Sequence, residues 1–224
     1  MKKYIAISSI LLLLVGCNSQ KLVYSEKVKT SDLKTNWEIL VDQWHVTNQI
    51  LYGEGTRPDW SVIVNKKELP QDYILEFSSW LETDERLFEI ILNLNDGKFV
   101  GLLMNYLGAT VELEGRSLYD KDGRVDIRTT PDMVGKLPNV NFPKKDSWNQ
   151  WTIQKTGDKL FVWIDGEEVI KLNRADLLKD GGQFGFVTSG QVKIKDIKLK
   201  TSKKSAPKKF KGKADNRFFF LFGE

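Results

Sequence analysis

From Trp37 to Lys200 apolar residues recur at every second position far more often than at the three- and four-residue spacing of a helix. In "DYILEFSSWLE" Tyr73, Leu75 and Phe77 alternate with Ile74, Glu76, Ser78 and Trp80. In "RLFEIILNLN" Phe88, Ile90, Leu92 and Leu94 alternate with Glu89, Ile91 and Asn93. A period of two, carried by aromatic and β-branched side chains, predicts strands buried on one face. "NDG" at 95–97, "GDK" at 157–159 and "DGE" at 165–167 predict the hairpin turns between them. "LNRADLLKDG" alone predicts a helical turn or short helix. Short strands at regular turn intervals predict an all-β sandwich of roughly a dozen strands.

The ends of the chain differ from this middle. Met1-Lys2-Lys3, an apolar run from Tyr4 to Val15 and small residues before Cys17 predict an export signal, the run being too short to span a bilayer as a helix. Leu14-Val15-Gly16-Cys17 resembles the bacterial lipobox, which implies cleavage before Cys17, lipidation of its sulfur and a tether to the membrane. Asn18 follows the cysteine, where Asp is associated with inner-membrane retention, so the outer membrane is the expected location. The expected organisation is a signal at 1–16, lipidated Cys17 and a linker at 17–36, one jelly-roll domain at 37–200, and a basic tail with an apolar end at 201–224.

Cys17 is the only cysteine, so the lipidated chain forms no internal disulfide and offers no thiol for catalysis or metal binding. The chain carries 34 basic and 30 acidic residues. Setting aside Lys2, Lys3 and the tail beyond Lys200, with its seven basic and two acidic residues, leaves 25 basic and 28 acidic side chains in the body. A slightly acidic body argues against nucleic acid as partner, because phosphate binding needs a clustered basic surface. The tail ends in "RFFFLFGE", an apolar run that is an aggregation hazard when exposed. It is expected to dock on the domain, add an edge strand, or touch a membrane or partner.

"WHVTNQILYGEG", "DYILEFSSWLE", "SWNQWTIQKTGDKLFVWIDGEEVIKL" and "GGQFGFVTSGQVKIKDIKLK" resemble, in order and spacing, the concanavalin A-like jelly rolls of the 3-keto-disaccharide hydrolase-like family. The resemblance spans about residues 37–200 and implies a curved sheet whose concave face binds sugars, in proteins that cleave glycosides by hydrolysis or elimination. Where that family commonly shows Gln and His before the glycine of the penultimate strand, this chain has Val187 and Ser189 before Gly190. The departure puts the family's chemistry in doubt here.

In a sandwich the alternate side chains point outward. If Trp44 and Val46 pack inside, His45, the only histidine, points out. The outward set is then His45, Glu76, Ser78, Trp80, Glu89, Ile91, Asn93, Leu103 and Asn105, expected together on one curved sheet. Aromatic faces stack on sugar rings while polar groups fix hydroxyls, so Trp80, Glu76, Asn93, Asn105 and Arg116 are candidate substrate-binding residues. Glu76 and Glu89 form the obvious carboxylate pair for glycoside hydrolysis. "ETDERLFE" lacks the Glu-x-Asp-x-Glu strand of jelly-roll glucanases, since Arg86 takes the last place.

Elimination needs a base and a group to hold charge developing on oxygen. His45, Glu89 and Tyr106 are the candidate catalytic groups, with Arg116 able to clamp a carboxylate through two hydrogen bonds; Arg124 and Arg128 extend the set. No cofactor is required by any motif. Calcium remains open through Asp120, Asp122 and Asp126 around Gly123, although a plain aspartate-rich turn accounts for them equally simply. The leading expectation is a tethered enzyme that acts on oligosaccharides of a polysaccharide, by elimination on an acidic sugar. Glycoside hydrolysis and glycan binding without catalysis are the alternatives.

Overall fold

The structure, a computed structural model, describes residues 20–41, 43–55, 60–82, 87–105, 110–127, 133–137, 142–172, 181–202 and 219–222. Two antiparallel sheets stack as a concanavalin A-like jelly-roll sandwich. Sheet A holds β1 (Leu22–Glu26), β3 (Trp44–Thr47), β4 (Ile50–Glu54), β6 (Tyr73–Leu81), β11 (Asn149–Thr156), β12 (Lys159–Ile164), β13 (Glu167–Leu172) and β15 (Gln191–Thr201). Its order is β13-β12-β11-β6-β15-β4-β3, and β1 pairs with the second half of β15 beside β4. Sheet B holds β2 (Trp37–Val41), β5 (Ser61–Glu68), β7 (Leu87–Asn95), β8 (Lys98–Asn105), β9 (Thr110–Ser117), β10 (Met133–Leu137), β14 (Gln183–Thr188) and β16 (Phe219–Phe222), in the order β16-β10-β9-β8-β7-β14-β5-β2.

The alternation sorts the side chains as expected from a pleated backbone. Leu75, Phe77, Trp151, Ile153, Val162, Ile194 and Leu199 from sheet A meet Ile63, Phe88, Ile90, Leu102, Leu113 and Phe186 from sheet B in one core. Removing each such side chain from water contributes about 1.5–3 kcal/mol, which is how a fold without disulfides holds together. The predicted turns form. Asp96 and Gly97 (φ 50° and 73°), and Asp165 and Gly166 (φ 52° and 81°), take the left-handed pairs that a two-residue hairpin requires.

Two segments depart from the expected boundaries. Residues 22–26, read from sequence as linker, form β1, and Thr30–Asn36 form a seven-residue helix, α1. The cause is a buried polar knot. Glu26, only 4% exposed, accepts hydrogen bonds from Trp37 Nε1 (2.9 Å) and Asn36 Nδ2 (3.3 Å) and contacts Tyr24 Oη, while Asn65 Nδ2 donates to Tyr24 Oη at 3.1 Å. Burial pushes the Glu26 carboxyl above its ordinary range, against the lowering effect of the Trp37 and Asn36 hydrogen bonds. At the other end, Phe219–Phe222 adds an edge strand to β10, one of the outcomes expected for the apolar tail. The helical expectation in "LNRADLLKDG" falls mostly outside the described residues.

Candidate functional site

The two sheets present two outer faces of opposite character, and the sequence-predicted residues divide between them. Glu76, Ser78 and Trp80 of β6 share the outer face of sheet A with His45 of β3. Glu89 of β7, Asn105 of β8 and Arg116 of β9 lie on the outer face of sheet B. The expected single strip is therefore corrected. Glu76 and Glu89 stand on opposite sides of a sandwich and cannot act on one bond. Glu76 instead accepts a 2.7 Å bond from Lys200.

Asn93 faces neither strip. It sits at a bulge with φ 54°, is 4% exposed, accepts a hydrogen bond from Tyr73 Oη at 2.9 Å and donates to Gly181 O at 2.7 Å. Its amide braces the backbone entering β14. Tyr106, Arg128 and Cys17 lie outside the described residues. Asp120 Oδ1 accepts the backbone N–H of Asp122 and of Arg124, both at 2.8 Å, so this carboxylate closes a turn. Among the described residues no three His, Cys, Asp or Glu side chains group as metal ligands.

The outer face of sheet B is closed. Val62, Val64, Ile91, Leu94, Phe99, Leu118, Ile127 and Val187 form a second buried cluster there, with Trp60 packed against it. Val187 is one of these apolar residues. Embedded in this layer is a charge cluster. Glu89 is 0% exposed, and Glu112, Glu114 and Arg116 are also buried.

Arg116 Nε lies 3.0 Å from Glu89 Oε1 and 2.9 Å from Glu114 Oε2. Glu89 Oε2 has no hydrogen-bond partner among the described residues. The carboxyl lies over Gly101, where a Cβ would overlap Glu89 Oε1. Burial pushes Glu89 up to about 7; the Arg116 charge opposes this and the Glu114 charge adds to it. Glu112 and Glu114 were missed as candidates, though the alternation of "VELEGRS" puts both on one face with Arg116.

The outer face of sheet A is aromatic, and it is accessible across β3, β4, β15 and β6, whereas Gln154, Phe161 and Trp163 on the same face at β11 and β12 are buried. His45 is exposed and stacks on its cross-strand partner Tyr52, with ring centroids 5.0 Å apart and planes 8° apart. Tyr52 pairs with Lys193, and Lys193 with Trp80. Lys193 Nζ sits 5.9 Å from the Tyr52 ring centroid and 5.4 Å from that of Trp80, and it also pairs with Glu82. Trp80 meets Trp148, just ahead of β11, edge to face at 5.8 Å, and Lys195 Nζ lies 4.0 Å over Trp148. His45, Tyr52, Lys193, Trp80 and Trp148 thus form one transverse row. At the spacing of neighbouring strands it runs for roughly 19 Å. Tyr52 and Lys193 escaped the sequence reading, because alternation within a strand does not reveal which strands lie side by side.

No protein-family model matches the chain, and no curated protein is similar to it. Solved structures are similar in fold. A protein of unknown function with a galectin-like fold from Bacillus subtilis shares 12% identity at a TM-score of 0.58, covering 81% of this chain and 96% of that one. The carbohydrate binding module CBM66 from Bacillus subtilis shares 12% identity at a TM-score of 0.57, over 74% of this chain and 96% of that one. An endo-β-galactosidase releasing GlcNAcα1-4Gal from Clostridium perfringens shares 10% identity at a TM-score of 0.56, over 82% of this chain and 64% of that one. The narrower affiliation with the 3-keto-disaccharide hydrolase-like family gains no support from a family model. The chain has a galectin-like jelly-roll fold.

Proposed function

We propose that the protein binds glycans, holding an oligosaccharide along the transverse row of sheet A. The observation that carries this is the row itself: rings on four strands or their edges, interleaved with lysines, on the part of the outer face of sheet A where these side chains are exposed or half-buried. Tyr52, Trp80 and Trp148 offer apolar ring surface to pyranose faces, while Lys193 and Lys195 supply donors to sugar oxygens. The fold likeness to a carbohydrate binding module supports the ligand class. Elimination on an acidic sugar has less support. His45, its candidate base, and Arg116, its candidate clamp, lie on opposite outer faces, and Arg116 is ion-paired to Glu89 and Glu114.

One observation favours hydrolysis as a second reading. Glu89 and Glu114 both touch Arg116, so these two oxygens are at most about 6 Å apart, a bound that admits the roughly 5–5.5 Å carboxyl separation of retaining glycosidases. A Glu89 carboxyl raised to about 7 beside an ion-paired Glu114 is the kind of contrast that separates an acid from its partner. Its rank below binding follows from burial, since substrate must reach a carboxyl that is 0% exposed.

The test is titration of the full chain with neutral and acidic oligosaccharides, followed by mass analysis of the sugars. Binding without turnover, weakened about tenfold or more by Trp80→Ala and by Trp148→Ala, is the expected result. Affinity untouched by both substitutions would remove the platform. Products heavier by one water, abolished in Glu89→Gln, would promote the hydrolytic reading.

A further inference from the structure

At one end of the sandwich a cleft of about 440 Å³ opens between the end of β5, the β7–β8 turn, the segment after β9 and the glycines that enter β14. Its volume falls within the roughly 300–1,000 Å³ of small-molecule sites. Leu94 and Leu118, both buried, form an apolar floor. Tyr119 stands on the rim, 41% exposed, with its ring against Gly97; a Cβ at residue 97 would come within 2.8 Å of Tyr119 Cδ2. Gly97 also needs its left-handed φ of 73°, so turn and ring position are set together.

The walls are braced from behind. Gly181 O accepts Asn93 Nδ2, Gly182 O accepts the N–H of Leu69 at 2.8 Å, and Leu118 N donates to Gly97 O at 2.7 Å. These three carbonyls are thus already committed within the fold. The side chains of Glu68, Asn95, Asp96 and Gln183 make no hydrogen bond to another described residue. A rigid concavity with an apolar floor, one presented aromatic ring and four uncommitted polar side chains has the composition of a sugar site. Among the described residues its lining contains two carboxylates and no cationic side chain. An acidic sugar or a phosphate would meet unscreened repulsion there; a neutral or amino sugar would not.

We propose that this cleft binds a single pyranose unit without negative charge, a hexose or hexosamine, separately from the platform on sheet A. It shares with the platform reading only the class of ligand. The test is saturation-transfer NMR and titration of the full chain with glucose, glucosamine and glucuronate. Glucosamine and glucose are expected to bind and glucuronate to fail. Tyr119→Ala should weaken binding about tenfold, and Asp96→Asn should weaken glucosamine more than glucose. Tyr119 is half in solvent, and an unchanged melting temperature will confirm that the variant folds.

Trp80→Ala should leave monosaccharide binding intact, so failure of the platform and failure of the cleft give different results. Absence of binding by all three sugars, glucuronate binding as tightly as glucosamine, or affinity indifferent to both Tyr119→Ala and Asp96→Asn would each overturn the proposal.

Discussion

Glu89 shows what a single side chain contributes to this molecule. In the unfolded chain its carboxyl titrates near 4.5, and in the fold near 7. The folded state therefore holds the proton more tightly. The stabilisation linked to that proton is fully present below pH 4.5 and is lost as pH rises through about 7. A shift of that size corresponds to about 3 kcal/mol between pH 5 and 8. Glu26 and Glu168 are also raised and slope the same way, so the difference from a variant isolates Glu89.

Glu89→Gln keeps the shape over Gly101 and removes the charge. Its stability in urea should exceed that of the parent chain at pH 8 and converge with it near pH 5. Parallel pH profiles for the two proteins would mean that Glu89 does not titrate in this window. The outward direction of Glu89 and His45 was legible, because Phe88 and Ile90, or Trp44 and Val46, fix the opposite face. The burial of Glu89 was not, since it depends on an apolar layer outside sheet B that no alternation within β7 announces.

Among the elements, the hairpins were the most readable, because Asp-Gly pairs specify their own backbone angles. Sheet membership was the least. Period two says which residues share a face of one strand, and nothing about which strands share a sheet; that is why Glu76 and Glu89 were grouped. β1 escaped for a related reason. "LVYSE" has too little apolar surface to declare itself, and its place is fixed by pairing with β15 and by the Glu26, Trp37 and Tyr24 contacts.

If β1 were linker, removing residues 1–27 would leave the domain unchanged. The structure predicts otherwise. Trp37 Nε1 would lose its buried acceptor, a cost of about 1–3 kcal/mol, and the outer edge of the second half of β15 would lose its ladder. A fall of about 2–12 °C in melting temperature is expected by calorimetry, at roughly 2–4 °C for each kcal/mol lost. A shift under two degrees would return this segment to the linker.

At the scale of the whole molecule, the proposed anchor and the proposed platform are placed to work together. β1 runs antiparallel to β15, with Leu22 opposite Lys200. Lys193 of the platform lies seven residues back along β15, roughly 23 Å away at strand rise. We propose that Cys17 is lipidated and holds the protein at the outer membrane. Only four residues, 18–21, then separate Cys17 from β1, a reach of at most about 18 Å over five Cα steps. So short a tether would keep the Lys200 end of sheet A at the bilayer and direct the aromatic row away from it, toward long glycans.

Cys17→Ala should accordingly move the protein from the detergent phase to the aqueous phase in a detergent-partition assay and abolish retention of insoluble polysaccharide by whole cells. Purified variant and parent should bind soluble oligosaccharide equally, because the lipid touches no part of the row. A variant that still partitions with detergent would remove Cys17 as the anchor, and one that loses soluble binding would show that tether and platform are not separate parts.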